Sequence, residues 1–300
     1  MARISDGLVG KVAVVTGATR GIGKGIAFAL AEHGATVYVT GRTTGAGQSP
    51  LPGTLVETVE EVNARGGKGV SVVLDLKDDD QIAALFDQVR RDEGRLDILA
   101  NNAMAIPDAM TRRDGFWEKP LGEWEIWDTG MRAAYIAAWH AARIMVPQGS
   151  GLIAALSGYV GATYTYDVVF GTTKTATDRM MRDMGHELRD TGVSAVSLWQ
   201  GFTYTERAVE NLKTVPGMAS QLNSAVGSSP EFPGRVIAAL AMDSAVKARS
   251  GGTFINAELA AEYGVTDKDG RTIPSLRETR GSPLWSAGDT TWKRAEGYGG

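Results

Sequence analysis

Short runs of apolar, often β-branched residues alternate along this chain with longer stretches in which apolar positions recur every third or fourth residue. Lys11-Val-Ala-Val-Val-Thr16 predicts a buried strand, and Gly23 to His33 a helix after it. Thr36 to Thr40, Gly69 to Leu74, Leu96 to Ala100, Gly151 to Leu156 and Val193 to Trp199 predict further strands, and Gly252 to Ile255 predicts a seventh at an edge. Helices are predicted over residues 54–65, Asp78 to Arg91, Leu121 to Val146, residues 170–190 and Arg235 to Met242. Between Asp78 and Arg91 the apolar Ile82, Leu85, Phe86 and Val89 fall on one face of a 3.6-residue period. Alternation of this kind, with strands apolar on both faces, predicts an α/β protein. Its sheet is doubly wound (Rossmann-type), mostly parallel and seven-stranded, with helices on both faces.

No internal repeat interrupts the pattern. Thr40 to Pro52 is rich in glycine and small polar residues and reads as a surface loop. The whole of residues 1–300 is expected to form a single domain with its core over about 8–260. After about Tyr263 the composition shifts to Gly, Pro, Ser and charge, which predicts an irregular tail over 263–300.

Composition narrows the function classes. Hydrophobic residues make up 43% and charged residues 22%, as in a soluble globular protein, and a formal net charge of −4 leaves no basic footprint for nucleic acid. The absence of cysteine excludes disulfides, thiolate-bound zinc and a thiol nucleophile. No apolar run approaches the ~20 residues of a membrane span. The N-terminus lacks the long apolar stretch of a signal peptide, and Ala295 to Gly300 match no lipidation signal. These features predict a cytoplasmic protein without a membrane partner. His33, His140 and His186 lack metal-ligand spacing and read as helix-packing or surface residues, so no metal is expected. Met180, Met181 and Met184 read as core or subunit-interface packing.

Candidate chemistry begins where the first strand turns into the first helix. There Thr16-Gly17-Ala18-Thr19-Arg20-Gly21-Ile22-Gly23 supplies glycines that let backbone N–H groups approach a pyrophosphate at the positive end of a helix. An acid at the end of the second strand would bind the ribose 2′-hydroxyl of NAD. This chain has Gly41-Arg42 instead, with Arg20 in the glycine loop. Guanidinium groups bind phosphate bidentately, which predicts NADP(H) over NAD(H).

The spacing Gly-x-x-x-Gly-x-Gly, with the threonine before it, resembles the short-chain dehydrogenase/reductase family. Other motifs follow in the family's order over residues 8 to 260: Asp75-Leu76, Asn101-Asn102-Ala103, Ser157, Lys174, and Gln200-Gly201-Phe202-Thr203-Tyr204-Thr205. Met104 and Gln200 depart from the family's usual glycine and proline. Gly192 to Trp199 and Glu258 to Gly270 look most like a dehydrogenase/reductase member 1-like subgroup. The resemblance implies cofactor contacts from Gly17, Thr19, Arg20, Gly21, Ile22, Gly23, Arg42, Asp75, Leu76, Asn101, Ala103, Lys174, Gly201, Thr203 and Thr205. It also implies a homodimer or homotetramer formed through helices 121–146 and 170–190.

In that family a serine polarises the carbonyl, a tyrosine handles the proton, and a lysine four residues on tunes the tyrosine and binds the ribose. Here Ser157 and Lys174 are retained, Phe170 stands at the tyrosine position, and Gly130 aligns with a supporting asparagine. Three explanations fit Phe170: an engineered tyrosine-to-phenylalanine replacement, a natural reductase of a substrate such as an iminium ion that needs no acid, or a nearby Tyr164 or Tyr166 acting instead. The bland reading of these tyrosines, with Tyr159 and Phe202, is the lining of a pocket for a fairly large apolar or aromatic small molecule. Asp167 reads as a solvated loop acid. The expected activity is therefore NADPH-dependent reduction of a carbonyl or C=N bond. The alternatives are a cofactor-binding regulatory or scaffold protein with little redox activity, and a non-redox lyase or isomerase.

Overall fold

A computed structural model describes residues 7–215 and 226–285. Residues 1–6, residues 216–225 and the end of the expected tail, Ala295 to Gly300 included, lie outside the described residues.

Seven strands form one sheet in the order β3-β2-β1-β4-β5-β6-β7. They are β1 (Val12–Val15), β2 (Thr36–Gly41), β3 (Lys68–Val73), β4 (Ile98–Asn101), β5 (Gly151–Gly158), β6 (Val193–Gln200) and β7 (Thr253–Ile255). Every neighbouring pair is parallel, in keeping with the mostly parallel, doubly wound sheet expected. The order reverses between β1 and β4, which opens a crevice at the carboxyl ends of those strands.

Side-chain alternation along the strands divides the core. Ala13 and Val15 pack with Ile26, Leu30, Val236 and Ile237 on one face. Val12 and Val14 pack with Leu85, Phe86, Ala137 and Met181 on the other. The first face carries helices α1 (Gly21–Ala31), α2 (Leu55–Ala64), α8 (Phe232–Met242) and α9 (Asn256–Tyr263). The second carries α3 (Asp79–Glu93), α5 (Ala133–Gln148) and α6 (Val168–Glu187). Met180 and Met181 are core residues, and His140 stacks on Phe86 with ring centroids 5.6 Å apart.

Three elements depart from the pattern-based expectation. The predicted continuous helix from Leu121 is interrupted: a 3-10 turn at Leu121–Trp124 and the short α4 (Glu125–Trp127) lead into a π-helical turn, Asp128–Arg132, before α5. The Thr129 hydroxyl donates to the Glu125 carbonyl at 2.9 Å and accepts from Ala105 N at 2.7 Å, tying the wide turn to the loop after β4. Helix α7 (Glu206–Thr214) was not predicted because its sequence is mostly polar; the Thr205 side chain caps it by accepting from Ala208 N. Helix α9 follows β7 with no turn residue to announce it.

Among the described residues, the segment after Tyr263 carries one short helix, α10 (Arg277–Arg280), and is fastened to the body. Asp267 is buried and accepts from the backbone N–H and the hydroxyl of Ser229. Ile273 joins the core, and Leu276 N donates to the Tyr159 hydroxyl at 3.0 Å.

Helix α1, which opens the glycine loop, is pinned by direct backbone contact with the start of α8. A Cβ on Gly25 would lie 2.0 Å from the Pro230 carbonyl oxygen. Gly25→Ala is therefore expected to destabilise the fold by at least about 1–3 kcal/mol. The check is a urea unfolding curve whose midpoint falls with an unchanged slope.

Candidate active site

The glycine loop lies at the crevice. Gly17 and Gly21 have φ of +66° and +57°, which other residues rarely adopt. A Cβ on Gly17 would sit 2.8 Å from Ala103 Cβ, and one on Gly23 2.5 Å from Asn102 Nδ2. The Thr16 hydroxyl accepts from Asn102 N at 2.9 Å and Ala103 N at 3.1 Å, and Asn102 Nδ2 donates to the Thr16 carbonyl at 2.9 Å. The loop after β4 is thus stitched to the glycine loop. Asn102, quoted in its motif but not assigned a contact, makes these bonds. Asn101, which was assigned one, is buried and donates to the Ala134 carbonyl at 2.9 Å. Its role is to hold β4 to α5.

An acid already exploits the positive end of α1. Glu206 accepts from Gly21 N at 2.8 Å and pairs with Lys24 at 2.9 Å. Burial raises its pKa, but the Lys24 hydrogen bond and charge and two backbone N–H bonds bring it below the usual carboxylate range. This residue was missed because nothing in the sequence brings position 206 to position 21. Thr205 lies against the same turn, its Cγ2 3.3 Å from a Cβ placed on Gly21. Thr203 is buried and bridges to Ser228, Thr19 and Ile22 pack inward, and Gly201 is exposed.

The two arginines differ. Arg20 spends its guanidinium on the Pro52 and Gly53 carbonyls, both at 2.9 Å, and on the Thr43 hydroxyl at 3.2 Å, so it braces the loop after β2. The Arg42 side chain is 68% exposed, with Asp75 4.0 Å away. Leu76 packs against the core beside it. These residues fit a dinucleotide whose phosphate takes the place of the Glu206 carboxylate at Gly21 N: the cradle is closed to side chains by contact, the helix end attracts an anion, and a guanidinium stands at the end of β2.

Helix α6 and strand β5 supply the reacting end. Asp178 is 3% exposed and accepts from Ser197 Oγ at 2.6 Å and Trp199 Nε1 at 2.8 Å, which fixes α6 on β6. One turn earlier, Lys174 Nζ donates to the Leu156 carbonyl at 2.8 Å and lies 5.8 Å from the Phe170 ring centroid. Burial pulls the Lys174 pKa down to about 8, opposed in part by Asp178. Ser157 is buried beside them and donates to the Lys174 carbonyl at 3.2 Å. Gly130 faces the same region: a Cβ there would come 3.0 Å from Met104 Cγ and 3.4 Å from Thr173 Cγ2. Ser157, Phe170 and Lys174 are therefore brought together.

Asp167 is not the solvated acid expected. It is buried, caps α6 by accepting from Phe170 N at 2.7 Å, and pairs with Lys119 at 3.3 Å. Lys119 is buried too, donates to the Met110 carbonyl at 3.2 Å, and has Glu123 at 3.8 Å. Burial holds the Glu123 carboxyl above its usual pKa. The cluster joins the loop after β4 to the end of α6 that carries Phe170. Asp167 lies 48 residues from Lys119, and a lone loop Asp carried no signal of the pairing.

The tyrosines separate as well. Tyr159 is 7% exposed, packs on Trp199 and accepts from Leu276 N, so it lies beneath the C-terminal segment rather than on an open wall. Tyr164 is 77% exposed. Tyr166 is half-buried and meets the Phe170 ring edge-on, centroids 5.5 Å apart. Phe202 packs edge-on against Tyr204.

A dinucleotide cradle feeding a serine and a lysine across β5 and α6 is the architecture of a nicotinamide-dependent oxidoreductase. The chain belongs to the short-chain dehydrogenase/reductase family, whose model, described as short chain dehydrogenase, matches residues 11–215. It is 41% identical over 276 residues to dehydrogenase/reductase SDR family member 1 of Mus musculus, covering 88% of this chain and 85% of the mouse protein. The Homo sapiens counterpart is 40% identical over 274 residues, again covering 88% and 85%. Among solved structures, a Beutenbergia cavernae chain provisionally described as an NAD(P)-dependent gluconate 5-dehydrogenase, with NADP bound at low occupancy, superposes with a TM-score of 0.71. It is 26% identical and covers 83% of this chain and 96% of that one. A short-chain type dehydrogenase/reductase from Mycobacterium marinum gives a TM-score of 0.67 at 26% identity, over 83% and 94% of the two chains.

Two outcomes follow from the buried charges. Lys119→Met leaves Asp167 and Glu123 facing each other without a cation and is expected to cost about 3–5 kcal/mol in chemical unfolding. Lys174 binds its proton less readily in the fold than in the unfolded chain, where its pKa is 10.5 rather than about 8. Its destabilising contribution is therefore full below pH 8 and fades as pH rises from about 8 towards 10.5. Lys174→Met should flatten that rise when unfolding free energies of the two chains are compared across the range.

Proposed function

We propose that this chain is an NADP(H)-dependent reductase acting on a carbonyl or C=N bond of a fairly large apolar or aromatic small molecule. The observation that carries the reading is the convergence of the closed glycine cradle with Ser157 and Lys174 at one end of the sheet. The bound cofactor would supply the hydride. Gly17, Gly21 and Gly23 would receive its pyrophosphate end, Arg42 a 2′-phosphate, and Lys174 the ribose beside the nicotinamide. The NADP in the Beutenbergia cavernae relative supports the phosphate assignment.

The residues divide the chemistry between them. Ser157 holds a hydroxyl at the end of β5 that would leave the Lys174 carbonyl to donate to a carbonyl oxygen gaining charge as hydride arrives. Lys174 offers an ammonium whose depressed pKa eases proton exchange near neutral pH. Phe170 keeps the volume of an aromatic ring and closes the pocket, but holds no proton. A cofactor-binding role without redox activity is favoured by Phe170 and Gly130; the retained Ser157, which a binder has no use for, favours the reductase. The exposed stripe of Tyr135, Trp139 and Val146 on α5 supports association with a second copy of the chain.

The test measures binding of NADPH and NADH by tryptophan fluorescence, then NADPH oxidation over aryl ketones, quinones and cyclic imines. NADPH should bind more tightly than NADH, and at least one of these substrates should be reduced. Arg42→Ala should weaken NADPH about tenfold, as expected for one lost charge-assisted phosphate contact, while leaving NADH unchanged. Equal affinities in the unaltered chain would remove Arg42 from the site.

A further inference from the structure

Position 170 cannot provide the proton that completes a carbonyl reduction. Resting on the reductase reading above, we propose that Tyr166 provides it. The ring of Tyr166 meets the Phe170 ring at 5.5 Å and 68°. A phenol is thus placed in direct contact with the group that stands where the family keeps its own. Asp167, the residue between Tyr166 and α6, is locked by its cap to Phe170 N and its bond to Lys119. The Tyr166 backbone is therefore held at the helix entrance by its neighbour.

The other nearby tyrosines are unsuited. The Tyr159 hydroxyl already accepts from Leu276 N, and its ring is packed on Trp199. The Tyr164 side chain extends into solvent. Tyr204 packs on Phe202, and a Cβ on Gly227 would collide with its ring at 2.3 Å, which marks it as wedged beneath that loop. Tyr166 is half-buried, and among the described residues its hydroxyl makes no hydrogen bond to protein. The hydroxyl is not among the buried unpartnered atoms, so it reaches solvent, where water or a substrate oxygen can bond to it.

Its surroundings suit an acid. Burial raises the phenol pKa and keeps it protonated at neutral pH. The charge acting on it is Arg280, which opposes that rise and would stabilise a phenolate. Arg280 is delivered by the short helix α10 (Arg277–Arg280), held by the bond from the Thr163 hydroxyl to the Arg280 carbonyl and by the Arg277–Glu258 pair at 2.6 Å. The irregular segment beyond Tyr263 thereby brings a cation to the proton donor.

In the reduction, the carbonyl carbon accepts hydride from NADPH, and the C=O π pair moves to oxygen. That oxygen takes the Tyr166 proton as the tyrosine O–H bond breaks, and the phenolate recovers a proton from water. The products are the alcohol and NADP⁺, with one proton consumed from solvent.

The experiment compares the unaltered chain with Tyr166→Phe, Phe170→Tyr and the double variant, using the ketones of the panel. NADPH affinity and melting temperature are measured for each. Tyr166→Phe should lower kcat by ~10²–10⁴-fold with NADPH affinity unchanged. Adding Phe170→Tyr should restore it. In parallel, chains labelled with 3-fluorotyrosine are followed by fluorine NMR, with the line from position 166 identified by its loss in Tyr166→Phe. That line should shift on addition of NADP⁺. Full activity in Tyr166→Phe, or a fluorine line unmoved by bound NADP⁺, would overturn the proposal. So would ketone reduction confined to the two chains that carry Phe170→Tyr, with none by the unaltered chain, although that result would uphold the reductase reading. Failure of every variant to bind NADPH would instead sink the functional reading itself.

Discussion

The arrangement depends on one buried carboxylate. Asp178 is 3% exposed and takes its hydrogen bonds from Ser197 and Trp199 on β6. An uncompensated charge in that position would be expensive, so α6 has little freedom to rotate or slide. Lys174 and Phe170 lie one and two turns before Asp178 on the same helix. Their register against Ser157 on β5 is therefore set by a polar contact with the neighbouring strand. The same charge steadies the Lys174 ammonium against the desolvation that lowers its pKa.

From that anchor the site can be followed outwards. The N-terminal end of α6 is capped by Asp167, and Asp167 is paired with Lys119 from the loop after β4. The beginning of that loop is bonded through Asn102 and Ala103 to Thr16 and the glycine turn. A chain of polar contacts therefore connects the cofactor cradle to the helix that carries the reacting end. None of these bonds uses the side chain at position 170, so the chain of contacts holds with phenylalanine there.

Much of the fold was legible in the sequence. Strands in a parallel sheet are apolar on both faces, and runs such as Val12–Val15 and Ile98–Asn101 state this locally. The glycine turn was legible because close approach leaves only glycine possible at Gly17 and Gly23. The helix from Leu121 was misjudged as continuous because the π-helical turn, Asp128–Arg132, has no buried side chain that would mark the break in the apolar pattern. Helix α7 was hidden because it has no buried side chain to create a period. In the site, Ser157 and Lys174 were readable through their motif. Glu206 at Gly21, Lys119 at Asp167 and Leu276 at Tyr159 were not, since each pairs positions separated by tens of residues or more. Asn101 was readable as a family position and Tyr159 as a pocket aromatic; Asn101 Nδ2 is bonded to Ala134 while its Oδ1 is buried without a partner, and the Tyr159 hydroxyl is taken by Leu276.

The most direct test is a crystal structure of this chain grown with NADP⁺. The pyrophosphate is expected at the Gly17–Gly23 turn, the 2′-phosphate on Arg42, and the nicotinamide ribose on Lys174. The nicotinamide ring should face Tyr166 and Phe170, with the Asp178 contacts to Ser197 and Trp199 unchanged. A cofactor bound away from Lys174, or crystals at saturating NADP⁺ with none in the crevice, would contradict the assignment of this crevice as the reacting site.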